Sequence, residues 1–295
     1  VRDGSTGDIE EHRDLVVAPP GHPRQVATVL QGQSRLVRVS GTGPTRPAAH
    51  AENPAAGASV WDDATPATSS GAAGGSDGVG LTAADFVTSG AGATSTGLAA
   101  LTRADHFSLL VIPPYTAGDG VDAAVVAAAA ALCEERRAML LLDAPPGWDD
   151  ARAVLAASAA GLEAALGTSS ANAAVYFPRG KQPNPLHGNQ VEEFGVAGAV
   201  AGVVARTDER RGVWKAPAGT EATLMGVTDL AVRLTIGEIG DVSQLGVNCV
   251  REVPWAGRVV WGARTLQGGA RHASEWTYLP VRRTATGAKS LSTLR

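Results

Sequence analysis

Cysteine, methionine and aromatic side chains are scarce in this chain of 295 residues: two Cys, two Met and 4% aromatics. Cys133 and Cys249 lie far apart, each inside an apolar or helical pattern. That excludes a disulfide framework and reads as two buried free thiols. A basic excess is also missing, since 25 Lys and Arg face 29 Asp and Glu for a net charge of −4. A general nucleic-acid coat needs a cationic face for phosphate, so nucleic acid is not an expected partner. No apolar run reaches the roughly 18 residues of a membrane span, so direct membrane insertion is not expected. The most apolar stretch, 121–132, ends in Cys133-Glu134-Glu135-Arg136-Arg137 and reads as a soluble helix. The start, Val1-Arg2-Asp3-Gly4, has neither an initiator Met nor an apolar signal core, so the chain is expected to be cropped there.

Small residues dominate what is present. Residues 1–40 carry two strand signals, at 14–18 and 34–39. Over 41–80, Gly, Pro, Ala, Ser and Thr fill 30 of 40 positions, too little apolar surface to offset ordering entropy. This segment is read as a surface loop or insertion, with Trp61 its one candidate anchor.

After Gly80 the pattern becomes regular. A short helix is expected at 96–101, an apolar strand at 107–112, and a helix at 121–137 with charges suited to its dipole. A strand at 138–142, a long helix at 149–166 and a strand at 173–177 follow. Strands that alternate with helices and are apolar throughout imply a parallel sheet covered on both faces. A small-residue helix at 195–211 comes next. Beyond it lie strands at 227–234, 247–253 and 258–265, and helices at 235–245 and 277–294.

Catalytic signals do not assemble. Gly167-Thr168-Ser169-Ser170-Ala171 is similar to the nucleophile segment of subtilisin-like proteases, and Asp143 ends an apolar strand. However, His187 and His272, the histidines that follow Asp143, both come after the serine, whereas that chemistry runs Asp, His, Ser along the chain. Gly90–Gly97 is Gly-rich but lacks the Gly-Lys-Ser/Thr of a phosphate loop. The six histidines stand at least ten positions apart, and Asp149-Asp150 and Glu192-Glu193 read as solvated charges. No catalytic residue, metal site or cofactor is expected.

The C-terminal half carries a more specific pattern. Val196-Ala197-Gly198-Ala199-Val200 leads to Arg206-Thr207-Asp208-Glu209-Arg210-Arg211-Gly212-Val213-Trp214-Lys215-Ala216-Pro217-Ala218. Gly246-Val247-Asn248-Cys249-Val250-Arg251, Gly257-Arg258-Val259-Val260-Trp261-Gly262-Ala263-Arg264 and Trp276-Thr277-Tyr278-Leu279-Pro280-Val281-Arg282-Arg283 follow in order. Together these resemble the contractile tail sheath family. Leu98-Ala99-Ala100-Leu101, Cys133-Glu134-Glu135-Arg136 and Leu141-Leu142-Asp143-Ala144-Pro145 are similar to its central domain.

The resemblance implies a non-enzymatic structural subunit that polymerises as stacked hexameric rings around an inner tail tube protein. Contraction, triggered at a baseplate, would drive the tube through a target membrane; baseplate and terminator or cap proteins are the further partners. Assembly in the bacterial cytoplasm, as part of a phage tail or a contractile injection particle, is implied likewise. The implied fold is α/β: a subtilisin-like parallel-sheet central domain without a catalytic triad, then a smaller mixed α/β C-terminal domain. The expected divisions are N-terminal strands at 1–40, the low-complexity segment at 41–80, the central domain at 81–211 and the C-terminal domain at 212–295. The arms by which sheath subunits add strands to neighbours are expected to be missing from both ends.

Trp214, Trp255, Trp261 and Trp276 crowd the last third, a density that signals core or subunit contact, and Arg264 reads as half of an internal ion pair. Residues 282–295 carry Arg282, Arg283, Lys289 and Arg295 and no acid. Because the resemblance places a tube-facing helix after Arg282-Arg283, the candidate tube or inter-subunit contact is Arg282, Arg283 and Lys289. An α/β hydrolytic enzyme and a non-contractile structural or adhesin-like protein are the alternatives.

Overall fold

Five apolar segments lie side by side in one sheet, although almost 140 residues separate the first from the last. The computed structural model describes residues 1, 3, 6–17, 22–40, 78–87, 95–115, 120–268 and 274–293, the last six of these by backbone alone. The segment 41–77 with its Trp61, the Gly-rich stretch 88–94 and Arg295 fall outside the described residues, as does the Lys289 side chain. The chain forms two units, Val1–Gly78 and Val79–Arg295.

The first unit holds one helix, α1 (Val26–Gln33). The two strands expected here do not form. Asp14 takes a positive φ of 54°, which breaks an extended run, and Val16 makes only a single bridge to Gln25. Past α1, the Glu10 carboxylate accepts hydrogen bonds from the Ser34 hydroxyl (2.5 Å) and the Arg35 amide (2.6 Å). Those bonds turn the chain where a strand is predicted and hold Glu10 down at about 2.

In the second unit α2 (Ala83–Val87) and a 3-10 turn at Gly97–Arg103 lead into β1 (Leu109–Val111). Then come α3 (Ala123–Arg136), β2 (Met139–Asp143), α4 (Ala151–Ala157), α5 (Leu162–Leu166) and β3 (Ala173–Phe177). The single helix expected over 149–166 is broken. Asp150 caps its start by accepting the Ala153 amide at 2.7 Å, but Gly161, at φ 102°, cannot continue a right-handed turn.

A hairpin of β4 (Gly180–Asn184) and β5 (Gln190–Phe194) follows, then α6 (Ala197–Arg211), β6 (Asp229–Leu230), α7 (Ile236–Gln244), β7 (Val247–Val253), β8 (Gly257–Val260) and α8 (Leu279–Thr293). The main sheet runs β1-β2-β3-β7-β8, parallel except for β8 at its edge. The chain beyond Gly212 therefore returns to the central sheet, and Gly212 itself is the C-cap of α6. The second, three-stranded sheet, β5-β4-β6, is absent from the sequence expectations: Pro183 and polar Lys181, Gln182 and Asn184 give β4 no strand signature.

Alternation along the strands builds two cores. Leu140, Leu142, Val175, Phe177, Val247 and Cys249 face α3, α4, α5 and α7. Met139, Leu141, Ala174, Tyr176 and Val250 face α6 and Leu279 at the start of α8. Each apolar run thus feeds both layers, as a doubly covered parallel sheet requires.

Candidate functional site

The three residues that could compose a serine triad have separate partners. Asp143, at the carboxyl end of β2, accepts the Ala197 amide at 2.7 Å and so caps α6. The Ser169 hydroxyl donates to Glu163 at 3.1 Å, and the neighbouring Ser170 hydroxyl to Glu134 at 2.5 Å. His187 lies on the β4–β5 hairpin, its Nδ1 2.5 Å from Glu192. Burial raises the Asp143 carboxyl above its ordinary 3.8, against hydrogen bonds from Ala197 and Val196 and the charge of Arg179. Burial likewise pushes both cysteine thiols up to about 12, far from a reactive thiolate.

Asp143 lines a cavity of about 490 Å³ at the carboxyl ends of β1 and β2. Ile112, Pro114, Tyr115, Pro145 and Leu166 give it apolar walls, and Arg179 and Asp122 bring charge. The Arg179 Nε is buried and has no hydrogen-bond partner among the described residues. Among those residues no cluster of three or more His, Cys, Asp or Glu could hold a metal ion, and no helix is long and apolar enough to cross a membrane.

The arginines of α8 face inward. Arg283 is 6% exposed and forms a two-pronged ion pair with Asp208 of α6. Arg282 donates from Nε (2.8 Å) and Nη2 (2.6 Å) to Asn172 Oδ1 and lies over the Trp276 ring at 4.7 Å. Asn172, fully buried, donates in turn to the carbonyls of Cys133 and Ala138. Arg282 and Arg283 thus seat α8 on the sheet and on α6, a role that net-charge counting over 282–295 does not reveal.

The tryptophans divide. Trp255, on the β7–β8 turn, is 81% exposed, Trp214 is 71% exposed, and Trp261 is exposed under the Arg251 guanidinium at 4.9 Å. The core tryptophan is instead Trp148, packed edge-on against Phe177. Arg264 lies over the Tyr278 ring at 5.5 Å, and its amide donates to Asn248 Oδ1 at 2.6 Å.

Residues 80–266 match the family model of the phage tail sheath protein central domain. Comparison with curated proteins finds no match. Among solved structures the chain is similar to one in the contracted sheath complex of PVC, an extracellular contractile injection system. That match has 26% identity and a TM-score of 0.50 over 65% of this chain and 49% of that one. A chain of the anti-feeding prophage baseplate matches at 30% identity and TM-score 0.49, over 64% and 45%. One from that prophage's contracted helical sheath matches at 32% and 0.47, over 62% and 44%. The chain spans about half the length of these solved chains.

Proposed function

Because this chain belongs to the phage tail sheath protein family, we propose that it is a structural, non-enzymatic subunit of a contractile sheath. The observation that carries this reading is the extent of the family match, which spans the whole main sheet from β1 to β8. The separate engagements of Asp143, Ser169 and His187 support it, since a triad needs these groups on one another. Subunits of this kind stack as hexameric rings around an inner tube protein and shorten on a signal from the baseplate. Terminator or cap proteins close the far end. The particle is a phage tail or a contractile injection system assembled in the bacterial cytoplasm. Its central body is 81–211 and its C-terminal part 212–295. Helix α8 provides the tube contact, with Lys289 its outward cation and Arg282 and Arg283 keeping the helix on the body.

Co-expression with the inner tube protein tests this reading. Ultracentrifugation is expected to pellet both proteins together as tube-filled particles. A sheath protein that stays in the supernatant as a monomer beside polymerised tubes would overturn it.

A further inference from the structure

The β4–β5 hairpin ends in an ordered tip. Asn184 Oδ1 accepts the Leu186 amide at 3.0 Å, while its Nδ2 donates to Glu192 at 2.8 Å. His187 contacts the other oxygen of Glu192, and the Asn189 amide returns to the Asn184 carbonyl at 2.8 Å. Hydrogen bonds from Asn184 and His187 hold the Glu192 carboxyl below its ordinary value, so it stays ionised. Fixing each backbone residue costs about 1–2 kcal/mol, yet this network orders no core. What it displays is Leu186, which is 89% exposed. A preorganised apolar side chain with an anion beside it has the form of a binding anchor.

The cavity at the carboxyl ends of β1 and β2 is its chemical complement. Its walls are apolar, and the buried Arg179 Nε lacks an acceptor. A tip cannot fill the cavity of its own chain. Arg179 immediately precedes β4, and at about 3.3 Å per extended residue Leu186 stands some 15–20 Å beyond it.

We propose that the hairpin tip of one copy seats in this cavity of a second copy, with Leu186 against the apolar walls and Glu192 meeting Arg179. The two surfaces differ, so the contact is heterologous and repeats from copy to copy, as a ring or helical polymer requires. The inference rests on the sheath reading and adds to it one contact surface.

Paired cysteines test it in the full-length protein. Leu186→Cys with Ala165→Cys, a cavity-wall residue, is expected to yield a ladder of covalent multimers on mild oxidation. Either substitution alone can give dimers at most, and the native thiols are buried. Leu186→Asp is expected to lower polymer yield at least tenfold with thermal unfolding of the monomer unchanged. Wild-type polymer yield from Leu186→Asp, with no ladder from the paired cysteines, overturns the contact alone. Protection of Ala165→Cys from maleimide in Leu186→Asp polymers means that another segment fills the cavity and overturns it equally. Absence of polymers from the wild-type protein overturns the sheath reading and the contact with it.

Discussion

Gly195 lies so close to Asp143 that a Cβ on it would sit 2.1 Å from the carboxylate carbon. The aspartate that ends β2 can therefore cap α6 only because the residue two positions before Ala197 has no side chain. A position that resembles a protease's acid has here become a helix cap.

Gly195→Ala is accordingly expected to destabilise the protein by about 1–3 kcal/mol, the usual effect of overpacking. Asp143→Ala, which leaves the Ala197 amide without its acceptor, should cost about 0.5–2 kcal/mol. Denaturant midpoints report both. An unchanged midpoint in Gly195→Ala would mean that the close approach does not constrain the fold.

The same carboxylate sets a pH dependence. Its folded value is raised by burial, so the folded state holds the proton more tightly than the unfolded chain. Stability from this group is full below the ordinary 3.8 and is lost as pH rises through the folded value. Measured against Asp143→Asn, the wild type should lose ground across that window and then level off. A difference that moves in the wild type's favour with rising pH would contradict the assignment.

Asp208 and Arg283 form a buried pair on which the seating of α8 depends, their side chains 6% (Arg283) and 29% (Asp208) exposed. Asp208→Ala strands the guanidinium and should cost about 3 kcal/mol, the lower end for such pairs because Asp208 retains some solvent. Asp208→Leu combined with Arg283→Met should cost less than Asp208→Ala alone. Arg283→Glu is expected to unseat α8, visible as faster amide exchange over residues 279–287. Slow exchange there in Arg283→Glu would show that the pair does not hold the helix.

No covalent labelling is expected from a serine-directed phosphonate probe, since Ser169 and His187 have separate partners. Labelling of the wild type that disappears in Ser169→Ala would place a working nucleophile where the geometry has none.

Much of the main sheet was legible in the sequence because its strands are short apolar runs closed by prolines or charges. Met139–Asp143 and Ala173–Phe177 are clear cases. Thr235 and Glu238 form the capping box that starts α7, a local signal that survives folding unchanged. What stayed hidden depends on tertiary contact. The polar β4 strand is held by its partners β5 and β6 rather than by propensity, and the turn after α1 by a carboxylate 24 positions upstream. The inward pairing of Arg283 was invisible for the same reason, because Asp208 is 75 positions away and only the sheet brings the two helices together. Family motifs supplied the functional reading where residue chemistry offered no site.

Negative-stain electron microscopy of the full-length protein tests the central claim, that this is a polymer-forming sheath subunit. The account predicts cogwheel rings or striated tubes with a regular axial repeat. Monodisperse monomers with hydrolytic activity would contradict it.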